Sequence, residues 1–375
     1  MIGANDFKRQ WAETSSDVLA AVRAVGESGW YILGSEVEEF ETKLAAEWGL
    51  RHCVGVASGL DALEIGLRIL GCRAGDRVLT TPVSAFATTL AIVRTGATPV
   101  FIDCDESGLI DLDRCEAYLS ERPARFLVPV HLFGQPIDLD RLTKLRDRFE
   151  IQIVEDCAQA IGAHFHGRIV GTIGRCAATS FYPTKNLGAI GDGGALLTDD
   201  DGLAIAARRF RDYGQSSKYR HAEMGANSRL DELHAAILRR AHLPHLQQWT
   251  ERRKAIAGQY TTQIHNPHIS HLPPAAVGAV SCCHLFPILV APARKRGFLE
   301  FLRAQSVGAG EHYPLPIFDQ PALAKPEGDP IPHEVVDGCQ RAVHFCASEV
   351  SLPIHPYLTD REVAMVIEAC NEWKG

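Results

Sequence analysis

The chain has little lysine. Its 38 basic residues comprise 29 arginines and 9 lysines, so a lysine in an uncharged, glycine-rich neighbourhood stands out. It has no C-x-x-C pair, and its 11 cysteines are an odd number. That excludes a disulfide framework and a zinc site. Cys53, Cys104, Cys157 and Cys283 lie in apolar stretches and read as buried, reduced thiols. No apolar run reaches the roughly 18 residues that a membrane span requires. Met1–Trp11 lacks the basic start and apolar core of a signal peptide, so the expected address is cytoplasmic. Basic charge is not in excess either: the net charge of −8 argues against nucleic acid as the main partner. No Gly-x-Gly-x-x-Gly follows the first strand-like segment, which removes support for a nicotinamide dehydrogenase.

What is present is an ordinary globular composition, 46% apolar and 22% charged, over 375 residues. That length suggests roughly two domains. Strand-like Cys53–Ser58, Arg77–Pro82, Thr98–Asp103, Arg125–Val130 and Gln152–Glu155 alternate with helical Asp61–Leu70, Ala85–Arg94, Asp113–Leu119 and Leu139–Phe149. Strand, helix, strand in series means crossover connections and a mostly parallel sheet covered on both faces, a doubly wound α/β domain. Further on, Asp199–Tyr213 reads as a helix, and Asn227–Tyr260 as a long one kinked at Pro244. A strand at His284–Val290 and helices at Arg296–Gln305 and Arg361–Trp373 make a smaller α+β unit. Pro321–His333 reads as a mobile surface loop.

The unusual lysine is Lys185, between Pro183 and four glycines in Ser180–Gly194, where no regular helix can form. An ammonium deprived of hydration loses basicity and becomes a nucleophile able to form Schiff bases with carbonyl compounds. The bland alternative is a surface lysine in a glycine turn. Asp156 and Gln159 change the balance, because they sit at the carboxyl end of a buried strand, where open α/β sheets bind ligands. A carboxylate there can keep a pyridine nitrogen protonated, as pyridoxal phosphate requires, or it can merely cap the next helix. Ser58-Gly-Leu60 joins a strand to a helix and offers amides to a phosphate. Phe86 follows the next strand and could stack on a flat ring, or simply fill the core.

Together these residues resemble the DegT/StrS-type pyridoxal-phosphate-dependent sugar aminotransferases, of the fold-type-I superfamily. The likeness covers nearly the whole chain. It runs from Ser28–Gly34 and Glu36–Phe40 through Ser58–Leu63, His131–Gly134, Glu155–Ala160 and Ser180–Gly194. It continues through Asp212–Gly214, Gly225–Leu233 and His312–Pro314 to Ser351–Pro353. The resemblance implies a large cofactor-binding α/β domain over residues 1–245 and a small α+β domain over 246–375. It implies that Lys185 forms the Schiff base and Asp156 pairs with the pyridine nitrogen. Gln159 would meet the ring hydroxyl and Phe86 the ring face. Gly59, Leu60 and Ser180 would hold the phosphate, helped by Asn227 from a second subunit of a homodimer. Leu60 stands where many relatives have threonine, so one hydroxyl contact is lost while the amide survives. Dehydrating members of the family carry histidine at the lysine position, and Lys185 disfavours that branch.

The implied reaction takes an amino group from L-glutamate, leaves pyridoxamine phosphate, and delivers the amine to a nucleotide-linked keto-deoxyhexose, most simply a dTDP sugar. Phe181–Ala189 with Gly191–Gly194, and Tyr213, Lys218–Arg220 and Asn227–Arg229, resemble the branch acting at sugar carbon 3. Tyr182, Tyr213, Arg220, His312 and Tyr313 are candidates for the sugar-nucleotide pocket, although Tyr313 could equally pack on Pro314. The alternatives are transamination at carbon 4, a keto-cyclitol substrate, or a non-catalytic sensor of cofactor or sugar nucleotide. No metal is expected.

Overall fold

The chain opens with two helices, α1 (Phe7–Ser28) and α2 (Ser35–Trp48), in a computed structural model that describes residues 1–324 and 330–375. Gly29 and Gly49 end them in the left-handed region, at φ of 65° and 69°, where a glycine carries no Cβ penalty. At its start α2 has Gly34, which owns no capping side chain. Glu232 substitutes from far along the sequence. Its carboxylate accepts the amides of Gly34, Glu36 and Val37 at 2.8, 2.9 and 2.9 Å.

Short apolar runs then build the central sheet: β1 (His52–Val56), β2 (Arg77–Thr80), β3 (Thr98–Phe101), β4 (Phe126–Val128) and β5 (Gln152–Asp156). The connecting helices are α3 (Gly59–Ile69), α4 (Phe86–Arg94), α5 (Leu112–Glu121) and α6 (Leu139–Phe149). Three of these carry their own start signal: Ser58, Asp111 and Asp138 accept amides of the first turn. A hairpin of β6 (His164–Phe165) and β7 (Arg168–Ile169) precedes β8 (Cys176–Ser180) and β9 (Gly194–Thr198). Helix α7 (Asp201–Arg211) and a second hairpin, β10 (Gln215–Ser217) with β11 (Arg220–His221), follow.

The expected long helix from Asn227 is shorter and interrupted. Asn227 instead bridges Asp212 as extended backbone, and α8 covers only Glu232–Ile237. A π turn at Leu238–His242 and a 3-10 turn at Leu243–His245 lead into α9 (Leu246–Gln263). Pro244 lacks the amide that a continuous helix needs there, so the ladder changes pitch. The remainder forms β12 (Ile269–His271), β13 (Ala279–Val280), β14 (Phe286–Val290), α10 (Pro292–Ala304), α11 (Pro321–Ala324), β15 (Glu334–Val335), α12 (Gln340–Ser348), β16 (Glu349–Leu352) and α13 (Asp360–Glu372). The expected loop at Pro321–His333 lies partly outside the described residues; Pro321–Ala324 is helical with Leu323 buried. Cys283 is only half-buried, unlike Cys53, Cys104 and Cys157.

The main sheet has the order β1-β9-β8-β5-β4-β2-β3-β15. Strands β8, β5, β4, β2, β3 and β15 are parallel to their neighbours in that run, and β9 is antiparallel to both β1 and β8. This is the mostly parallel α/β architecture. A separate antiparallel sheet, β12-β14-β16, packs with α9, α10 and α13 around Tyr260, Phe298, Leu302 and Val366. The two units are stitched together. Strand β13 pairs with β6, β15 extends the main sheet, and Phe345 of α12 joins the core beneath β3. Among the described residues no helix is long and apolar enough to cross a membrane.

Side chains alternate along β5, so Glu155 and Asp156 face opposite ways. Glu155 is fully buried and accepts from His131 Nε2 at 2.9 Å and from the amides of Gly171, Ile173 and Gly174 at 2.8, 2.7 and 2.7 Å. His131 Nδ1 accepts the Ile137 amide, so the ring proton sits on Nε2 and points at Glu155. Burial alone would raise the Glu155 pKa; His131 and the amides overcome it and hold the group below its ordinary value. Glu155→Ala would leave four donors unpaired beneath the strand that carries Asp156. It is expected to cost about 3–5 kcal/mol, read as a lower urea midpoint.

Candidate active site

Asp156 ends β5 beside Ala178 of β8, with its carboxyl group buried. Oδ2 accepts from Thr88 Oγ1 at 2.8 Å, and Oδ1 from the Ala158 amide at 3.1 Å. Ser84 Oγ lies 2.8 Å behind the Thr88 hydroxyl. Burial raises the Asp156 pKa, against the Ala158 amide, the Thr88 hydroxyl and the positive charge of Lys185. The carboxylate is therefore aimed and fixed, yet short of positive charge.

Lys185 lies in the turn after β8. Backbone bonds from Phe181 to Gly193, from Ala189 to Phe181 and from Lys185 to Tyr182 close that turn at 2.8, 2.7 and 2.8 Å. Gly188 is needed there, because a Cβ would fall 2.4 Å from the Pro183 carbonyl oxygen. Loss of hydration lowers the Lys185 pKa to about 8, although Asp156 pulls it upward. Both partners thus shift toward neutrality. Burial outweighs their mutual attraction, and among the described residues no ion pair joins the two groups, which leaves a gap between them.

The amino end of α3 faces the same place. Ser58 Oγ takes the Asp61 amide, leaving Gly59 and Leu60 as the leading amides of an 11-residue helix. A Cβ on Gly59 would stand 2.7 Å from Ser180 Cβ, and one on Gly194 would stand 2.5 Å from the Gly59 nitrogen. Only glycines let the helix start, β8 and β9 come this close. On the other side, Gln159 is pinned at both ends: its Oε1 accepts the Phe133 amide at 2.7 Å, and its Nε2 donates to Tyr313 Oη at 3.2 Å. The Tyr313 hydroxyl thus belongs to this group of residues. Burial raises its pKa, and Asp156 raises it further. His312 is held by Glu349 and Ser351, and Lys185 is near enough to bear on its charge.

The residues present fit pyridoxal phosphate. They offer a deprotonatable amine, a buried carboxylate lacking a cation, and a helix start with a hydroxyl beside it for a phosphate. The model of the DegT/DnrJ/EryC1/StrS aminotransferase family matches residues 13–371. The chain belongs to the DegT/DnrJ/EryC1/StrS aminotransferase family. It is 41% identical to the dTDP-3-amino-3,4,6-trideoxy-alpha-D-glucose transaminase of Streptomyces venezuelae, over 98% of this chain and 95% of that one. It is 38% identical to the dTDP-3-amino-3,6-dideoxy-alpha-D-galactopyranose transaminase of Aneurinibacillus thermoaerophilus, over 100% of this chain and 99% of that one. The crystal structure of S. venezuelae DesV in complex with a ketimine intermediate superposes with a TM-score of 0.91 at 41% identity, covering 98% of this chain and 97% of that one.

Within this family member, the structure draws together Asp156 and Gln159 at the end of β5, Ser180 and Lys185 at and after the end of β8, Gly59 at the start of α3, and His312 and Tyr313 on one loop. Phe86 begins α4, half-buried, two residues before Thr88 in the same first turn. Four expected residues are exposed in this chain. Tyr182 and Tyr213 are 51% and 45% exposed, and Arg220 and Asn227 are exposed as well. The Arg229 guanidinium covers the Tyr213 ring at 5.3 Å. Among the described residues no side-chain hydrogen bond ties these four to Asp156 or Lys185.

Sequence reasoning missed Thr88, Ser84, Glu349 and the role of Ser351. Thr88 had a signal: it lies in the same helical first turn as Phe86, at the mouth of a parallel strand. Lys185 yields the sharpest expectation. With cofactor-free protein, the rate at which pyridoxal phosphate develops its bound visible band should rise about tenfold per pH unit below pH 8 and level off above it. The free-amine fraction follows that course. Stopped-flow absorbance across pH 6–10 measures it, and Lys185→Ala should develop no band.

Proposed function

We propose that this chain is a pyridoxal-phosphate-dependent aminotransferase that moves an amino group from L-glutamate to carbon 3 of a dTDP-linked keto-deoxyhexose. The observation that carries the reading is the Lys185 amine, pKa about 8, set across a gap from the buried Asp156. The likeness to dTDP-3-amino-sugar transaminases supports carbon 3 and the dTDP handle.

Bound in that gap, pyridoxal phosphate supplies an electron sink for charge that develops at the substrate carbon. The chain's own residues do the rest. Asp156 holds a proton at the ring nitrogen, with Thr88 and the Ala158 amide keeping its carboxyl group in place. Lys185, uncharged at mildly alkaline pH, takes the proton from the substrate carbon and returns it. Gln159 meets the ring hydroxyl, and Phe86 covers the ring face. The Gly59 and Leu60 amides and the Ser180 hydroxyl hold the phosphate. Tyr182, Tyr213, Arg220, His312 and Tyr313 line the sugar-nucleotide side. The exposed Asn227 reaches the phosphate of a second copy, making a homodimer with shared sites. The soluble reaction partners suit a cytoplasmic address.

Purified protein supplied with pyridoxal phosphate, L-glutamate and a panel of dTDP-keto-hexoses should release a 3-amino sugar, identified by mass and NMR. Asp156→Asn should retain phosphate binding yet lose turnover, and Lys185→Ala should lose at least about 10²-fold. Absence of an amino sugar from every 3-keto and 4-keto donor, with cofactor bound, would overturn the reading.

A further inference from the structure

A chain of hydrogen bonds fixes the His312 ring. Glu349, the first residue of β16, is fully buried. Its Oε2 accepts the His312 backbone amide at 2.6 Å, and its Oε1 accepts from Ser351 Oγ at 2.5 Å. Ser351 Oγ in turn lies 2.9 Å from His312 Nδ1. A hydroxyl has one proton. Ser351 gives it to Glu349, so toward the ring Ser351 can only accept, and His312 must carry its proton on Nδ1. Nε2 is then a lone pair, with no hydrogen-bond partner among the described residues. Burial, and then the charge of Lys185, depress the His312 pKa to about 4, so the ring is neutral and its tautomer matters. The support is rigid. Glu349 and Ser351 share one face of β16, and Gly310 and Ser351 exchange both backbone bonds at 2.9 and 2.8 Å.

We propose that Glu349 and Ser351 are positioning residues that hold His312 as its Nδ1–H tautomer, so that Nε2 accepts a hydrogen bond from a hydroxyl of the bound sugar. The proposal rests on the keto-sugar reading given above. It contains an inversion. The His312 amide can only donate, so in Glu349→Gln the new carbonyl oxygen must face that amide. The new NH₂ then faces Ser351 and donates to it. Ser351 must in turn donate to Nδ1, and the ring proton moves to Nε2, turning an acceptor into a donor. Protonation of Glu349 inverts the chain in the same way. Burial lifts that group to about 7, and Lys295 of α10 paired with Glu311, Cys346 of α12, and His312 and Tyr313 of the adjoining loop face it.

The test uses holoenzyme labelled with ¹⁵N-histidine, its His312 signals assigned by their loss in His312→Gln. Long-range ¹⁵N spectra at pH 8.5 should show Nδ1–H in the wild type and Nε2–H in Glu349→Gln. In Ser351→Ala the glutamate half-reaction, followed by loss of the cofactor's visible band, should stay within about twofold of wild type, while KM for the keto sugar rises about tenfold. Ser351→Thr should restore it. Nε2–H in the wild type, or equal slowing of the glutamate half-reaction, overturns the proposal. If the wild type consumes glutamate but aminates no keto sugar, the substrate reading fails and the role of Nε2 falls with it. An unchanged tautomer in Glu349→Gln refutes the hydrogen-bond chain alone.

Discussion

The site is organised around a carboxylate buried without a full countercharge. Asp156 is enclosed at the end of β5, and what it receives is one hydroxyl, one amide and a lysine set back across a gap. Burying a charge is unfavourable unless something pairs with it. In the function proposed above, the missing partner would be a cation brought by the cofactor, a protonated ring nitrogen. Lys185 cannot serve instead, since its own burial pushes it toward the neutral amine. A salt bridge between the two would satisfy both and disable both.

The sheet order explains how these groups meet. Strands β5 and β8 are parallel neighbours, with Asp156 opposite Ala178, so the turn after β8 delivers Lys185 to the end of β5. The start of α3 reaches the same edge because β1 lies beyond β9, and Gly59 and Gly194 let the backbones approach. Beneath the sheet, Glu155 ties the loop between β7 and β8 to β5 through three amides. Neighbouring residues on one strand thus do opposite jobs. Glu155 fixes the backbone, and Asp156 faces Thr88 and Lys185.

The alternating strands and helices were legible because each buried strand is a short apolar run and most helices announce their caps. The surroundings of Lys185, Asp156 and Gln159 were legible in part: Pro183 and the glycines exclude a regular helix around Lys185, and Asp156 and Gln159 lie at the end of a buried strand. Long-range pairings were not. Nothing local in Glu334–Val335 says that it adds an edge strand to a sheet built from residues 52–198, because pairing is a tertiary event. The start of α8 was misplaced because apolar spacing after Asn227 resembles a helix, whereas Asn227 is held extended by Asp212. Thr88 and Glu349 went unseen for a related reason: each acts on a residue more than 30 positions away.

Two buried glutamates show how donor count sets what a carboxylate does. Glu155 receives four donors, and His131 first, then the backbone amides that cannot change their protonation, hold it below its ordinary pKa despite complete burial. Among the described residues Glu349 receives two, the His312 amide and the Ser351 hydroxyl, and burial lifts it to about 7. Each also touches a histidine, but in opposite senses. His131 gives its Nε2 proton directly to Glu155 and is locked by the Ile137 amide at Nδ1. His312 is reached through a hydroxyl, which can reverse. A direct carboxylate–imidazole bond suits a scaffold. A rotatable Ser351 between the two lets the state of a buried acid be read as donor or acceptor at His312 Nε2.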